Sequence, residues 1–136
     1  MSVPGNLVHT TSLGLRWGDM DANGHTNNTL FFRFFEEARI QWLDSINLSD
    51  ISAPQGPVII KTSATFLQEL NFPATIEVKT YADKAGNSSL DTYHLLVDKA
   101  TGETVAEGYA KIVWFDRATR KSCPLPDQLK AQASNA

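Results

Sequence analysis

The sequence is expected to fold as an α+β domain in which a curved antiparallel sheet of about five strands wraps around one long central helix. Three observations predict this. A single apolar stripe at helical spacing runs through TLFFRFFEEARIQWLDSI, one alternating segment precedes it, and four β-rich segments follow it up to residue 116. The alternating segment is TTSLGLRW, where Leu13, Leu15 and Trp17 interleave with Ser12, Gly14 and Arg16, the period of two that marks a strand. In the helix, Phe31, Phe34, Phe35, Ala38 and Trp42 share the stripe, and Leu30, Phe32 and Leu43 flank it so thickly that near-complete enclosure is expected. Asn27 or Asn28 can cap its start, and Arg33 and Glu37 stand four apart on the polar side, where they can pair.

After the turn-rich SDISAPQGP, the stretches VIIKTSATFLQEL, TIEVKTYADK, SLDTYHLLVD and TVAEGYAKIVWFD are long and β-branched. NFPA, AGN and KATGE divide them, and two of these separators are short enough for hairpins. The remainder, RATRKSCPLPDQLKAQASNA, turns polar, with a short helix expected around residues 128–131 before the chain frays. One domain spanning 1–136 follows, with its core over about 8–116 and a polar tail over 117–136.

With 136 residues, the chain has room for one proper core. Its 12 basic and 15 acidic side chains form no like-charge block, which argues against a general nucleic-acid footprint and against a membrane-surface patch. The first residues, MSVPGNLVHTT, lack the pattern of a signal peptide, and no stretch approaches a membrane-spanning length. Cys123 is the only cysteine, so no internal disulfide and no cysteine-based zinc site is expected, and a reducing cytoplasm fits. No cofactor and no metal are expected.

The segment GDMDANGHTNN imitates the start of a calcium loop, but the twelfth position counted from Asp19 is Leu30, which offers no oxygen, and a strand rather than a helix precedes it. Its position suggests other chemistry. Asp21, Asn23 and His25 alternate in the turn that feeds a helix start, where free N–H groups and the positive end of the macrodipole favour a carbonyl oxygen gaining negative charge. A carboxylate held there suits acyl transfer, as nucleophile on a thioester or as the base that activates water. The same residue types also serve turns and caps by purely local hydrogen bonds, and Gly24 fits either reading as a position needing positive φ. His9 and His94 have no partners at ligand spacing and read as structural or exposed.

RWGDMDANGHTNNTLFFRFFEEAR resembles the signature of thioesterases of the 4-hydroxybenzoyl-CoA thioesterase type, which have the hotdog fold. The resemblance extends over roughly residues 8–125. It implies Asp21 as the catalytic carboxylate, Gly24 as the matching glycine and the backbone N–H of Asn28 as oxyanion donor. The spacing D-x-N-x-H-x-N-N is also similar to plant acyl-ACP thioesterases, which implies catalytic roles for Asp21, Asn23 and His25. Asp19 matches a position of unsettled role, and Glu37 is either a second catalytic group or the partner of Arg33. By the same resemblance the substrate is an acyl-CoA or acyl-carrier-protein thioester, and the chain pairs as a homodimer with a continuous sheet and a shared active site, or as a dimer-of-dimers tetramer.

Coenzyme A carries several phosphate charges, and Arg117, Arg120 and Lys121 form the one tight basic cluster available to meet them. The acyl pocket is expected between the apolar helix face and the strand 58–67, with Thr62 or Ser63 of a partner facing Asp21. A non-catalytic thioester-binding module of the same fold stands as the alternative, and a dehydratase or hydratase ranks below it because a proline-rich histidine loop is missing.

Overall fold

The computed structural model describes residues 3–133. β1 (Asn6–Gly14) leads through a single 3₁₀ turn (Trp17–Asp19) and a tight loop into α1 (Asn28–Ser45); β2 (Gln55–Phe66), β3 (Thr75–Ala85), β4 (Ser89–Asp98) and β5 (Thr104–Asp116) follow, then a short β6 (Lys121–Ser122) and α2 (Asp127–Lys130). All the strands pair antiparallel in the order β1-β3-β4-β5-β2, with β6 added beside β5. β2 and β1 are therefore the sheet edges. The β3–β4 and β4–β5 links are the expected hairpins.

Strand alternation decides which face the sheet turns to the helix. In β3, Ile76, Val78, Thr80 and Ala82 are buried while Glu77, Lys79 and Tyr81 point the other way, as a period of two requires. In β5, Ala106, Gly108, Ala110 and Ile112 do the same. Small residues at the centre of β5 let the helix approach: a Cβ on Gly108 would lie 2.6 Å from the ring of Phe35. The first half of α1 buries Phe31, Phe35 and Ala38 against Ile76, Val78 and Leu96. Its second half buries Trp42 and Leu43 against Leu90, Ile112 and Trp114.

Three expectations are corrected. Trp17 does not continue β1: the strand ends at Gly14, Leu15 is buried, and Trp17 sits on the 3₁₀ turn, 75% exposed. The helix is not enclosed either. Arg33, Glu36, Glu37, Ile40, Gln41 and Asp44 leave one side open, and Phe32 and Phe34 are half-buried. The Arg33–Glu37 pair is replaced by Gln41 donating to Glu37 at 2.9 Å. The short helix expected around residues 128–131 is present as α2, Leu125 and Leu129 are buried beneath the second half of α1, and the indole N–H of Trp42 donates to Gln132 at 3.3 Å; the fraying expected beyond it falls largely on 134–136, outside the described residues. Among the described residues, no helix is long and apolar enough to cross a membrane.

Candidate active site

The loop before α1 is a small hairpin. Met20 and Thr26 form its neck as an isolated bridge, Asp21 N–H donates to the carbonyl of His25 at 2.9 Å, and Gly24 N–H donates to the carbonyl of Asp21 at 3.0 Å. Gly24 has φ of 77°, which a side chain would oppose and glycine adopts freely, as its position in the sequence suggested. Asp19 braces the base. Its carboxylate, only 4% exposed, accepts from the backbone N–H of Arg16 at 2.8 Å and from the Arg16 guanidinium at 3.1 Å, so its role in the fold is structural. The hairpin is also sewn to the β2–β3 connection: Thr26 N–H donates to the carbonyl of Leu70, Phe72 N–H approaches the sulfur of Met20 at 3.3 Å, and Trp17 meets Phe72 edge to face.

Asn27 is the N-cap of α1. Its side-chain oxygen accepts from the N–H of Thr29 at 2.9 Å and from the Thr29 hydroxyl at 2.7 Å, which leaves Asn28 as the first helical residue. Among the described residues, nothing accepts from the Asn28 N–H, so the amide at the positive end of an 18-residue helix is unpaired.

The carboxylate of Asp21 is turned into its own hairpin, accepting from Asn23 N–H at 2.9 Å and from His25 N–H at 3.5 Å. It borders a cavity of about 380 Å³ walled by Trp17, Met20 and Phe72. Asn28 borders a second cavity, of about 290 Å³, with His25, Phe31, Phe66 and Glu69. Within one chain Asp21 and Asn28 thus line neighbouring depressions rather than one. Asn23 is exposed at the hairpin tip.

His25 has two partners that the sequence did not suggest. Its Nε2 lies 3.4 Å from Glu69 Oε1, and its Nδ1 lies 3.1 Å from the side-chain amide of Asn71. Both come from the β2–β3 connection, far along the chain, and no spacing pattern links them to the hairpin. His94 has a different character. His94 is wholly enclosed, stacks on Phe35 with ring centroids 5.2 Å apart, and shares a hydrogen bond of 3.0 Å with Thr80. Burial, reinforced by the nearby guanidinium of Arg39, lowers its pKa from 6.5 to about 3. It is neutral and belongs to the core.

The basic cluster stands at the other end of the molecule. Arg117 N–H donates to the carbonyl of Pro54 and its guanidinium to that of Ala53, tying the entry of β2 to the exit of β5; Arg120, at φ of 59°, and Lys121 lie in the adjoining hairpin. Gln55 faces Asp116 at that end of β2, whereas Phe66, at its other end, lies by the helix start. A 12-residue strand separates the two ends by about 40 Å. One chain therefore does not bring Arg117, Arg120 and Lys121 to the hairpin. Burial, and the nearby carboxylate of Asp116, raise the pKa of the Cys123 thiol.

An antiparallel sheet around one main helix, with an acidic hairpin feeding that helix, defines a thioesterase-like protein of the hotdog fold. Residues 15–133 match the model of the thioesterase-like superfamily, and the chain belongs to that family. Among solved structures, it is similar to the PA2801 protein of Pseudomonas aeruginosa, with 40% identity, a TM-score of 0.89, and coverage of 93% of this chain and 98% of that one. The YsmA protein of Bacillus subtilis is 25% identical over 118 residues, covering 87% of this chain and 80% of its own. The gentisyl-coenzyme A thioesterase BH1999 shares the fold, with a TM-score of 0.82 at 21% identity over 90% of this chain and 99% of that one. Family and neighbours together support thioester hydrolysis as the general class of activity.

Proposed function

We propose that the protein hydrolyses acyl thioesters of coenzyme A, or of an acyl carrier protein, to the free acid and thiol. The observation that carries this reading is that one hairpin and the helix it feeds carry both the carboxylate of Asp21 and the unpaired N–H of Asn28, in neighbouring depressions. In the reaction, Asp21 either attacks the thioester carbonyl, giving an acyl-aspartyl anhydride that water then hydrolyses to the free acid, or takes a proton from the attacking water. The carbonyl oxygen gains charge as the tetrahedral intermediate forms, the Asn28 amide and helix dipole stabilise it, and collapse breaks the C–S bond to release the thiolate. Asn23 and His25 orient the loop and its substrate, and Gly24 permits the turn that presents Asp21.

A dimer would bring the distant basic cluster to the hairpin of the other chain. β2 is a long exposed edge with Val58, Ile59, Ile60, Phe66 and Leu67 uncovered, the kind of strand that proteins pair or cover. Pairing β2 with its own copy about a two-fold axis runs the strands antiparallel, so the Gln55 end of one chain meets the Phe66 end of the other. Arg117, Arg120 and Lys121 of one chain would then serve the nucleotide phosphates of a thioester held at the other chain's hairpin. Thr62, at the middle of β2, already donates to the carbonyl of Tyr109 at 2.9 Å, so Ser63 is the better of the two for reaching across. A cytoplasmic setting, in which the free Cys123 stays reduced, belongs to the same proposal.

The non-catalytic alternative has one observation in its favour, the inward turn of the Asp21 carboxylate. Incubating the purified protein with short, long and aromatic acyl-CoAs while following free thiol decides between them. Turnover of at least one class supports hydrolysis, and tight binding of acyl-CoA without thiol release supports the module.

A further inference from the structure

The β2–β3 connection places two polar side chains against His25 and none against Asn23, and nothing in the reading above gives them a task. Glu69 Oε1 lies 3.4 Å from His25 Nε2. With its amide nitrogen turned inward, Asn71 faces three acceptors at once: the carbonyl of Gly24 at 2.9 Å, the carbonyl of Leu70 at 3.1 Å and His25 Nδ1 at 3.1 Å. The opposite orientation would set the amide oxygen against two carbonyls, which repel it. That arrangement makes Nδ1 an acceptor and leaves the ring proton on Nε2, 3.4 Å from the carboxylate of Glu69. Both Glu69 and His25 border the cavity that Asn28 also lines, beside Phe31 and Phe66.

We infer that Glu69 is a positioning residue for the proposed thioester hydrolysis, acting through His25, with Asn71 fixing the imidazole from the other side. This rests on the hydrolase reading. A ring held at both nitrogens keeps one plane and one tautomer at the mouth of the cavity. The hairpin supplies the histidine, and the strand connection supplies its orientation, which explains why neither Glu69 nor Asn71 is packed for stability: both are exposed.

A double-mutant cycle tests this. Glu69→Ala is expected to lower kcat toward an acyl-CoA about tenfold with little change in KM, the size of one charge-assisted hydrogen bond. Glu69→Gln, whose amide oxygen still accepts from Nε2, is expected to keep most of the rate. In a His25→Ala background, Glu69→Ala should have no further effect. An equal loss with and without His25, or a Gln variant as poor as Ala, overturns the inference. A second readout does not depend on turnover: nitrogen NMR of His25 should report the Nε2–H tautomer in the unmodified protein and a mixture in Glu69→Ala. Unchanged tautomer signals would overturn it as well. Failure of the unmodified protein to cleave any thioester would contradict the hydrolase reading itself, and with it the catalytic part of this inference, even where the NMR signature holds.

Discussion

His94 makes the stability of this fold sensitive to mild acid. Its ring is buried against Phe35, bonded to Thr80 from β3 and faced by the guanidinium of Arg39 from α1, so protonation would place a second positive charge in the core. Burial first, and Arg39 second, hold its pKa at about 3 in the folded chain, against 6.5 for the free side chain. The unfolded chain therefore binds the proton and the folded chain does not, throughout the interval from 6.5 down to about 3. Stability from this group is complete above that interval and falls as the pH enters it. At about 1.4 kcal/mol per pH unit, moving from pH 7 to pH 5 costs the folded state about 2 kcal/mol through His94 alone. Urea unfolding at both pH values, for the unmodified protein and for His94→Asn, measures it. The amide of asparagine can take the place of Nδ1 beside Thr80 without titrating, so the variant is expected to be less stable at pH 7 but to lose about 2 kcal/mol less on acidification. Equal losses in the two proteins would refute the account of a neutral, enclosed imidazole.

Further outcomes follow from other contacts. Gly108→Ala should destabilise by about 1–3 kcal/mol, because its methyl would lie 2.6 Å from the Phe35 ring in a packed layer, and a chemical melt that matched the unmodified protein would contradict that packing. If the proposed β2-paired dimer forms, Ile60→Lys, at a position 61% exposed on the open edge, should convert it to monomers by light scattering while leaving the circular dichroism unchanged. Charge removal at Arg117, Arg120 and Lys121 together should raise KM for acyl-CoA by about tenfold and leave KM for short thioesters lacking the nucleotide unaltered. Equal effects on both substrates would remove that role.

The elements of this fold are legible in the sequence wherever a period reports a face. The stripe through Phe31, Phe35, Ala38 and Trp42 and the alternation of Ile76 and Val78 each record contact with a single layer, and the structure follows both. Gly24 and Asn27 are equally legible, since a positive φ and a helix cap are local demands. The failures involve longer-range information. Trp17 continues the strand period in sequence, but the buried carboxylate of Asp19, bonded to Arg16, winds the chain into a turn just before it. Leu125 and Leu129 look like isolated apolar residues in a polar tail because their partners, Trp42 and Leu43, lie on a distant helix. Leu30, Phe32 and Leu43 beside the stripe suggested enclosure of α1, whereas the sheet of one chain covers a single side and ends at the open edge of β2. In the candidate site, Asp21, Asn23, His25 and Asn28 share one short stretch and could be read together. Glu69 and Asn71 join them only through the path of the β2–β3 connection, for which no local pattern exists.

Thioester cleavage by Asp21→Asn, compared with the unmodified protein on the best substrate of an acyl-CoA panel, is the most direct measurement of the central claim. The substitution keeps the shape of the side chain and its hydrogen bond to Asn23 N–H but removes the charge. A fall in thiol release of about a hundredfold or more, with unfolding unchanged, is the predicted result. Turnover close to that of the unmodified protein would contradict it.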